Sequence, residues 1–169
     1  TQVALSGPDR RPDLVLSVGT AGGWIRAGAA IGDTYLAWPT FACHDRRIDL
    51  PGFQAYGDAE LPAADLRSHA EPLGCRLGVV TTGDSLDETE VDRERIRANR
   101  GAAKEMEAAA VGWVCERMDV PFTALKAITD LVDHHEETAE QFDRNLATAI
   151  DRLATALADV VDAVRCRGG

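Results

Sequence analysis

The chain of 169 residues is long enough for one domain with a substantial core and too short for two. Its 45% hydrophobic and 27% charged residues are an ordinary globular balance, and no apolar run approaches the roughly 20 residues that cross a bilayer. A formal net charge of -10, with no Lys/Arg block to interrupt it, repels nucleic acid and anionic membrane, so neither is expected as a partner.

The chain opens at Thr1, and its first five residues read like the tail of an interrupted helix, so an upstream segment is expected. The opening residues lack a basic-then-apolar signal pattern. Asp13-Leu14-Val15-Leu16-Ser17-Val18-Gly19 is a short apolar run stopped by glycines and predicts a buried strand, followed by a tight turn at Thr20-Ala21-Gly22-Gly23. A second extended stretch is expected over residues 33–43, with Pro39 marking a bulge or an edge. Residues 44–68 read as loop, broken by Pro51-Gly52 and Gly57. A third strand is predicted at residues 76–82, ending at Gly83, and a helix at 105–117, stopped by Pro121. A fourth strand follows at 122–128. The chain closes on a long helix whose start carries Thr138 and Gln141 at capping-box spacing. Phe142, Leu146, Ile150, Leu153, Leu157 and Val161 are expected to form its apolar face. Cys43, Cys75, Cys115 and Cys166 are scattered without a Cys-x-x-Cys pair, which reads as reduced thiols in a cytoplasm.

Strands alternating with helices predict an α/β domain, whose ligands bind beyond the carboxyl ends of the strands. Three of those ends carry suggestive residues: the 19–23 glycine stretch, Gly83-Asp84-Ser85 and Thr129-Asp130. Partial burial there would raise the carboxyl pKa of Asp130 and suit it to proton donation. The ordinary alternative is a helix N-cap or turn aspartate, a reading that fits Asp133 better. Glu107 stands where a helix dipole favours a carboxylate, or where a buried carboxylate accepts hydrogen bonds from two ribose hydroxyls. Asp133-His134-His135-Glu136-Glu137 reads as a solvated turn rather than a metal cluster, and His44-Asp45-Arg46-Arg47 as a polar loop rather than a phosphate clamp.

Six segments, in order, resemble the methylthioadenosine/S-adenosylhomocysteine nucleosidase branch of the nucleoside phosphorylase superfamily. They are Val18-Gly19-Thr20-Ala21-Gly22-Gly23, Ile31-Gly32-Asp33, His44-Asp45-Arg46-Arg47-Ile48, Thr82-Gly83-Asp84-Ser85-Leu86-Asp87, Glu105-Met106-Glu107-Ala108-Ala109-Ala110 and the 126–133 stretch ending Thr129-Asp130-Leu131-Val132-Asp133. The His-Asp-Arg-Arg loop and the Thr-Gly-Asp-Ser-Leu-Asp turn are most similar to plant-type members.

The resemblance implies a three-layer domain with a central mixed sheet flanked by helices, its opening strands missing, and a homodimer acting on a small nucleoside without metal or cofactor. It also implies roles. Asp130 would protonate or hydrogen-bond N7 of the departing adenine, and Glu107 would hold the ribose hydroxyls, with Met106 against the sugar. Leu86 would lie on the purine ring, and the backbone at Asp87 would read its edge. Thr20 and Ala21 would border the sugar and the attacking water, and Ile48 and the loop through Phe53 would face the 5′ substituent. Ser85 and Glu105 join the substrate-binding set through their motifs.

Phosphorylases of this superfamily carry an Arg two residues before the Gly-Ser/Thr pair, where this chain has Ser17, so water is the expected acceptor. A purine nucleoside phosphorylase remains the alternative enzyme. Family members also begin with a strand ending in Gly-Ala-Met-Glu or similar, which has no counterpart here. Its absence leaves a truncated, non-catalytic subunit as the alternative of a different class, and predicts a sheet with open edges and exposed apolar faces.

Overall fold

A computed structural model of the chain describes residues 1–6, 11–44, 50–53, 57 and 59–165. Among the described residues, six strands carry the fold: β1 (Val15–Gly23), β2 (Thr34–Cys43), β3 (Glu60–Pro62), β4 (Arg76–Thr82), β5 (Gly101–Glu105) and β6 (Phe122–Leu131). The helices are α1 (Gln2–Leu5), α2 (Arg67–Ala70), α3 (Glu90–Ala98), α4 (Ala108–Arg117) and α5 (Thr138–Arg165). None of the described helices is long and apolar enough to cross a membrane.

The sheet is mixed, in the order β3-β2-β4-β5-β1-β6, and β2 also pairs with β6. That pairing closes the sheet upon itself, contrary to the expectation of an open sheet. β2 exchanges β6 for β3 as its second neighbour around Pro39. The β2–β4 register shifts between Ala37 and Phe41, as the bulge reading of Pro39 anticipates. Before it, Thr34–Leu36 pairs antiparallel with β6; beyond it, Thr40–Ala42 pairs antiparallel with β3. A proline has no N–H for a ladder, so the strand changes partner there.

β6 is buried from Phe122 through Asp130, hence its near-continuous apolar run. Its alternate side chains enter two cores. Ala124 and Ile128 join Phe41, Val80 and the Ala108, Ala109 and Cys115 face of α4. Leu125 and Ala127 join Leu36 and the Ala149, Leu153, Ala156 and Val160 face of α5.

Several expected boundaries move. The glycines at 22–23 continue β1 rather than turning it, and they serve close packing. A Cβ on Gly23 would lie 2.7 Å from the Ala29 Cβ and 3.0 Å from Ile128. Residues 101–105 form a strand, so the helix expected from Glu105 starts at Ala108. The 44–68 stretch contains β3 and the first residues of α2. In α5 the buried stripe is shifted by one residue: Ala149, Leu153, Ala156 and Val160 face β6, while Ile150 is 48% exposed. The alanines allow a close helix–sheet approach that larger side chains would hold apart. Gln141 does not act in a capping box. Its Oε1 accepts from Leu131 N at 3.0 Å, and its Nε2 donates to Glu136 O at 2.9 Å and Leu131 O at 3.4 Å, tying the end of β6 to the start of α5.

Candidate active site

The carboxyl ends of β1, β5 and β6 meet at one point. Gly22 pairs with Lys104 of β5 and with Asp130 of β6. Above them opens a cavity of about 590 Å³, walled by β1, the Ser85–Leu86 segment after β4, the β5–α4 junction, Thr129–Asp130 and the first turns of α5. The three strand ends singled out in the sequence therefore do converge.

Asp130 sits in the wall, 4% exposed. Its Oδ1 accepts a hydrogen bond from the Thr129 hydroxyl at 2.8 Å. Burial pushes its carboxyl pKa above the ordinary value, against the opposing pull of the Thr129 hydrogen bond and the Lys104 charge. Gly22 makes room for it, since a Cβ there would come within 2.7 Å of Asp130 Oδ2. Asp133 plays the structural part instead. Its carboxylate accepts from Ile25 N at 2.7 Å and Arg26 N at 3.1 Å, capping the 3-10 turn Ile25–Ala27.

Of the two readings of Glu107, the structure supports the one at a helix start. Glu107 lines the cavity but is exposed, at the N-cap position of α4. Glu105 is the buried carboxylate, and its oxygens are already engaged. It pairs with Lys126 Nζ at 3.0 Å and takes the Glu107 and Ala108 amides at 2.8–3.0 Å. The Thr82 hydroxyl donates to it as well. A strand-end side chain here caps the next helix, so Glu105 shapes the wall. Lys126 reaches Glu107 Oε2 only at 3.9 Å and is itself 1% exposed.

Thr20, Ala21, Ser85, Leu86 and Met106 all line the cavity, with Leu86 and Met106 on its open rim at 59% and 40% exposure. Asp87 is adjacent to the lining, and its carbonyl faces Lys104. Phe53 is exposed and outside the lining. Ile48 lies outside the described residues. Sequence reasoning misses Lys104 and the α5 residues Thr138, Ala139, Phe142 and Asp143, all of which border the cavity. The available signal for the lysines was a lone cation in a strand of small or apolar residues, at Lys104 and again at Lys126.

A family model of the phosphorylase superfamily matches residues 2–162. A 5′-methylthioadenosine/S-adenosylhomocysteine nucleosidase of Arabidopsis thaliana is 39% identical over 90% of this chain and 59% of its own length. A 5′-methylthioadenosine nucleosidase of the same plant is 38% identical over 93% of this chain and 58% of its own. The chain thus spans somewhat under two thirds of these relatives. Among solved structures, the apo form of an Arabidopsis 5′-methylthioadenosine nucleosidase superposes with a TM-score of 0.81 at 39% identity, covering 89% of this chain and 62% of that one. Futalosine hydrolase of Helicobacter pylori superposes at 0.73 with 27% identity, covering 89% and 68%. The chain belongs to the phosphorylase superfamily.

Proposed function

We propose that this protein hydrolyses the N-glycosidic bond of 5′-methylthioadenosine or a related adenine nucleoside, releasing adenine and the free sugar. The observation that carries the reading is Asp130, a buried carboxyl with a raised pKa in the wall of a nucleoside-sized cavity. Breaking the bond leaves negative charge on the base and positive charge on the ribose. Asp130, protonated at a pH where an ordinary aspartate is not, relieves the first by donating at N7. The carboxylate of Glu107 receives the ribose hydroxyls and faces the second.

Leu86 and Met106 give the base and sugar apolar surface at the rim. Thr20 and Ala21 border the sugar and the incoming water. Ser17, in β1 two residues before Gly19, supplies no cation for phosphate, which favours water as the acceptor. The enzyme acts as a homodimer. Free thiols at Cys75 and Cys115 suit a reducing cytoplasm.

The test is a substrate panel on the purified protein, with adenine release followed by chromatography. It compares 5′-methylthioadenosine, S-adenosylhomocysteine and adenosine with inosine, which lacks the 6-amino group. Adenine from the 5′-thio nucleosides, with inosine a poor substrate, supports the reading. No base released from any of them removes it.

A further inference from the structure

Lys104 lies on β5 among small residues and is 6% exposed, yet among the described residues its ammonium makes no ion pair within salt-bridge distance. It donates instead to two consecutive carbonyls, Leu86 O at 2.7 Å and Asp87 O at 3.3 Å. Both belong to the irregular segment between β4 and α3 that borders the cavity. The two ends of that segment are anchored separately. Gly83 N donates to Glu105 O at 3.1 Å, and Thr89 and Asp92 form the capping box of α3. A trans peptide points its C=O and N–H to opposite sides. The bond to the Leu86 carbonyl therefore also fixes the direction of the Asp87 N–H, the backbone group assigned to the purine edge.

We propose that Lys104 is a positioning residue that holds the 85–88 segment as the base-recognition wall of the cavity and presents its charge to Asp130 across it. The proposal rests on the nucleosidase reading for its substrate, but its structural half stands apart from it. Desolvation pushes the Lys104 pKa down, and the carboxylates of Glu88, Asp130, Asp92 and Asp87 push back. Glu88 pushes back most: it is ion-paired to Arg93 through one oxygen, and its buried Oε2 has no hydrogen-bond partner among the described residues. Facing Asp130 are the Thr129 hydroxyl on its own strand and Lys104 from β5. Of the other charged groups on the cavity, Glu105 is taken by Lys126, while Glu107 and Asp143 are exposed. Lys104 is thus the cation that lowers the Asp130 carboxyl and limits how far burial raises it.

The experiment compares the purified protein with Lys104→Met, which removes charge and donors, and Lys104→Arg, which keeps both. Lys104→Gln, with a neutral donor, stands in should the methionine variant not fold. Three readouts are taken: amide hydrogen exchange across residues 84–88 without ligand, KM against kcat for 5′-methylthioadenosine, and the alkaline limb of kcat/KM. In Lys104→Met, exchange at 84–88 rises and KM increases by about 10- to 100-fold, the scale of a lost charged hydrogen bond. kcat falls less. The alkaline limb moves to higher pH, because Asp130 keeps its proton longer without the neighbouring cation. Arginine restores the protection and the limb. Unchanged exchange with unchanged KM in Lys104→Met overturns the proposal. If the unaltered protein releases no adenine, the nucleosidase reading fails and the exchange comparison alone decides on Lys104.

Discussion

Replacing Asp130 with Asn separates catalysis from architecture at the residue on which the chemistry depends. The amide keeps the shape of the side chain, can still accept from the Thr129 hydroxyl and can still donate to N7. It cannot release a proton. General acid catalysis contributes about 10²–10⁴-fold, so adenine release should fall by that factor, or about 3–5 kcal/mol of barrier. Stability should move the other way. Burial raises the Asp130 pKa, so the folded state holds its proton more tightly than the unfolded chain. Stability from this group is therefore complete below the ordinary carboxyl range and is lost as pH rises through the raised value. Asparagine carries no such penalty. Asp130→Asn should match the unaltered protein in Tm near pH 4 and exceed it near pH 8. Initial rates of adenine release and thermal melts at both pH values test this. Near-normal turnover, or a Tm lowered at pH 8, would refute the reasoning, since the first denies the acid and the second makes Asp130 a structural anchor.

Gly22→Ala places a methyl 2.7 Å from both Asp130 Oδ2 and Val132 Cγ1, and should cost about 1–3 kcal/mol of stability in denaturant titration with a disproportionate loss of turnover. Glu107→Gln, at an exposed position, should leave Tm nearly unchanged while kcat/KM falls by roughly 10- to 100-fold, measured by steady-state kinetics. Glu105→Gln should act first on stability. It strips the buried Lys126 ammonium of its partner, and chemical denaturation should show a loss of about 3–5 kcal/mol.

The strands richest in β-branched and aromatic residues are legible in the sequence, and β6 with Asp130 at its end is the clearest of them. β5 is not legible, because Gly101-Ala102-Ala103-Lys104-Glu105 has almost no intrinsic strand preference. Its small residues answer to packing across the sheet: a Cβ on Gly78 would stand 2.6 Å from the Ala102 Cβ, and one on Gly101 would stand 2.6 Å from Thr81. The same tertiary pressure hides the glycine strand at 22–23, which reads as a turn until β6 is laid beside it. In the site, the burial of Asp130 is legible in the sequence and the environments of the two glutamates are not. Glu105 and Glu107 are two positions apart, and only the strand-to-helix switch between them decides that the first is buried against Lys126 and the second is exposed. α3 shows no strong apolar face, with Ile96 and Asp92 its buried residues; its signal is the Thr89/Asp92 capping box.

The central claim is hydrolysis, and the acceptor is what distinguishes it within the superfamily. Adenine release from 5′-methylthioadenosine should be measured in phosphate-free buffer and at saturating phosphate, with the sugar product identified by mass spectrometry. Equal rates with free methylthioribose in both conditions are the predicted result. A strict requirement for phosphate, with the sugar recovered as its 1-phosphate, would contradict it.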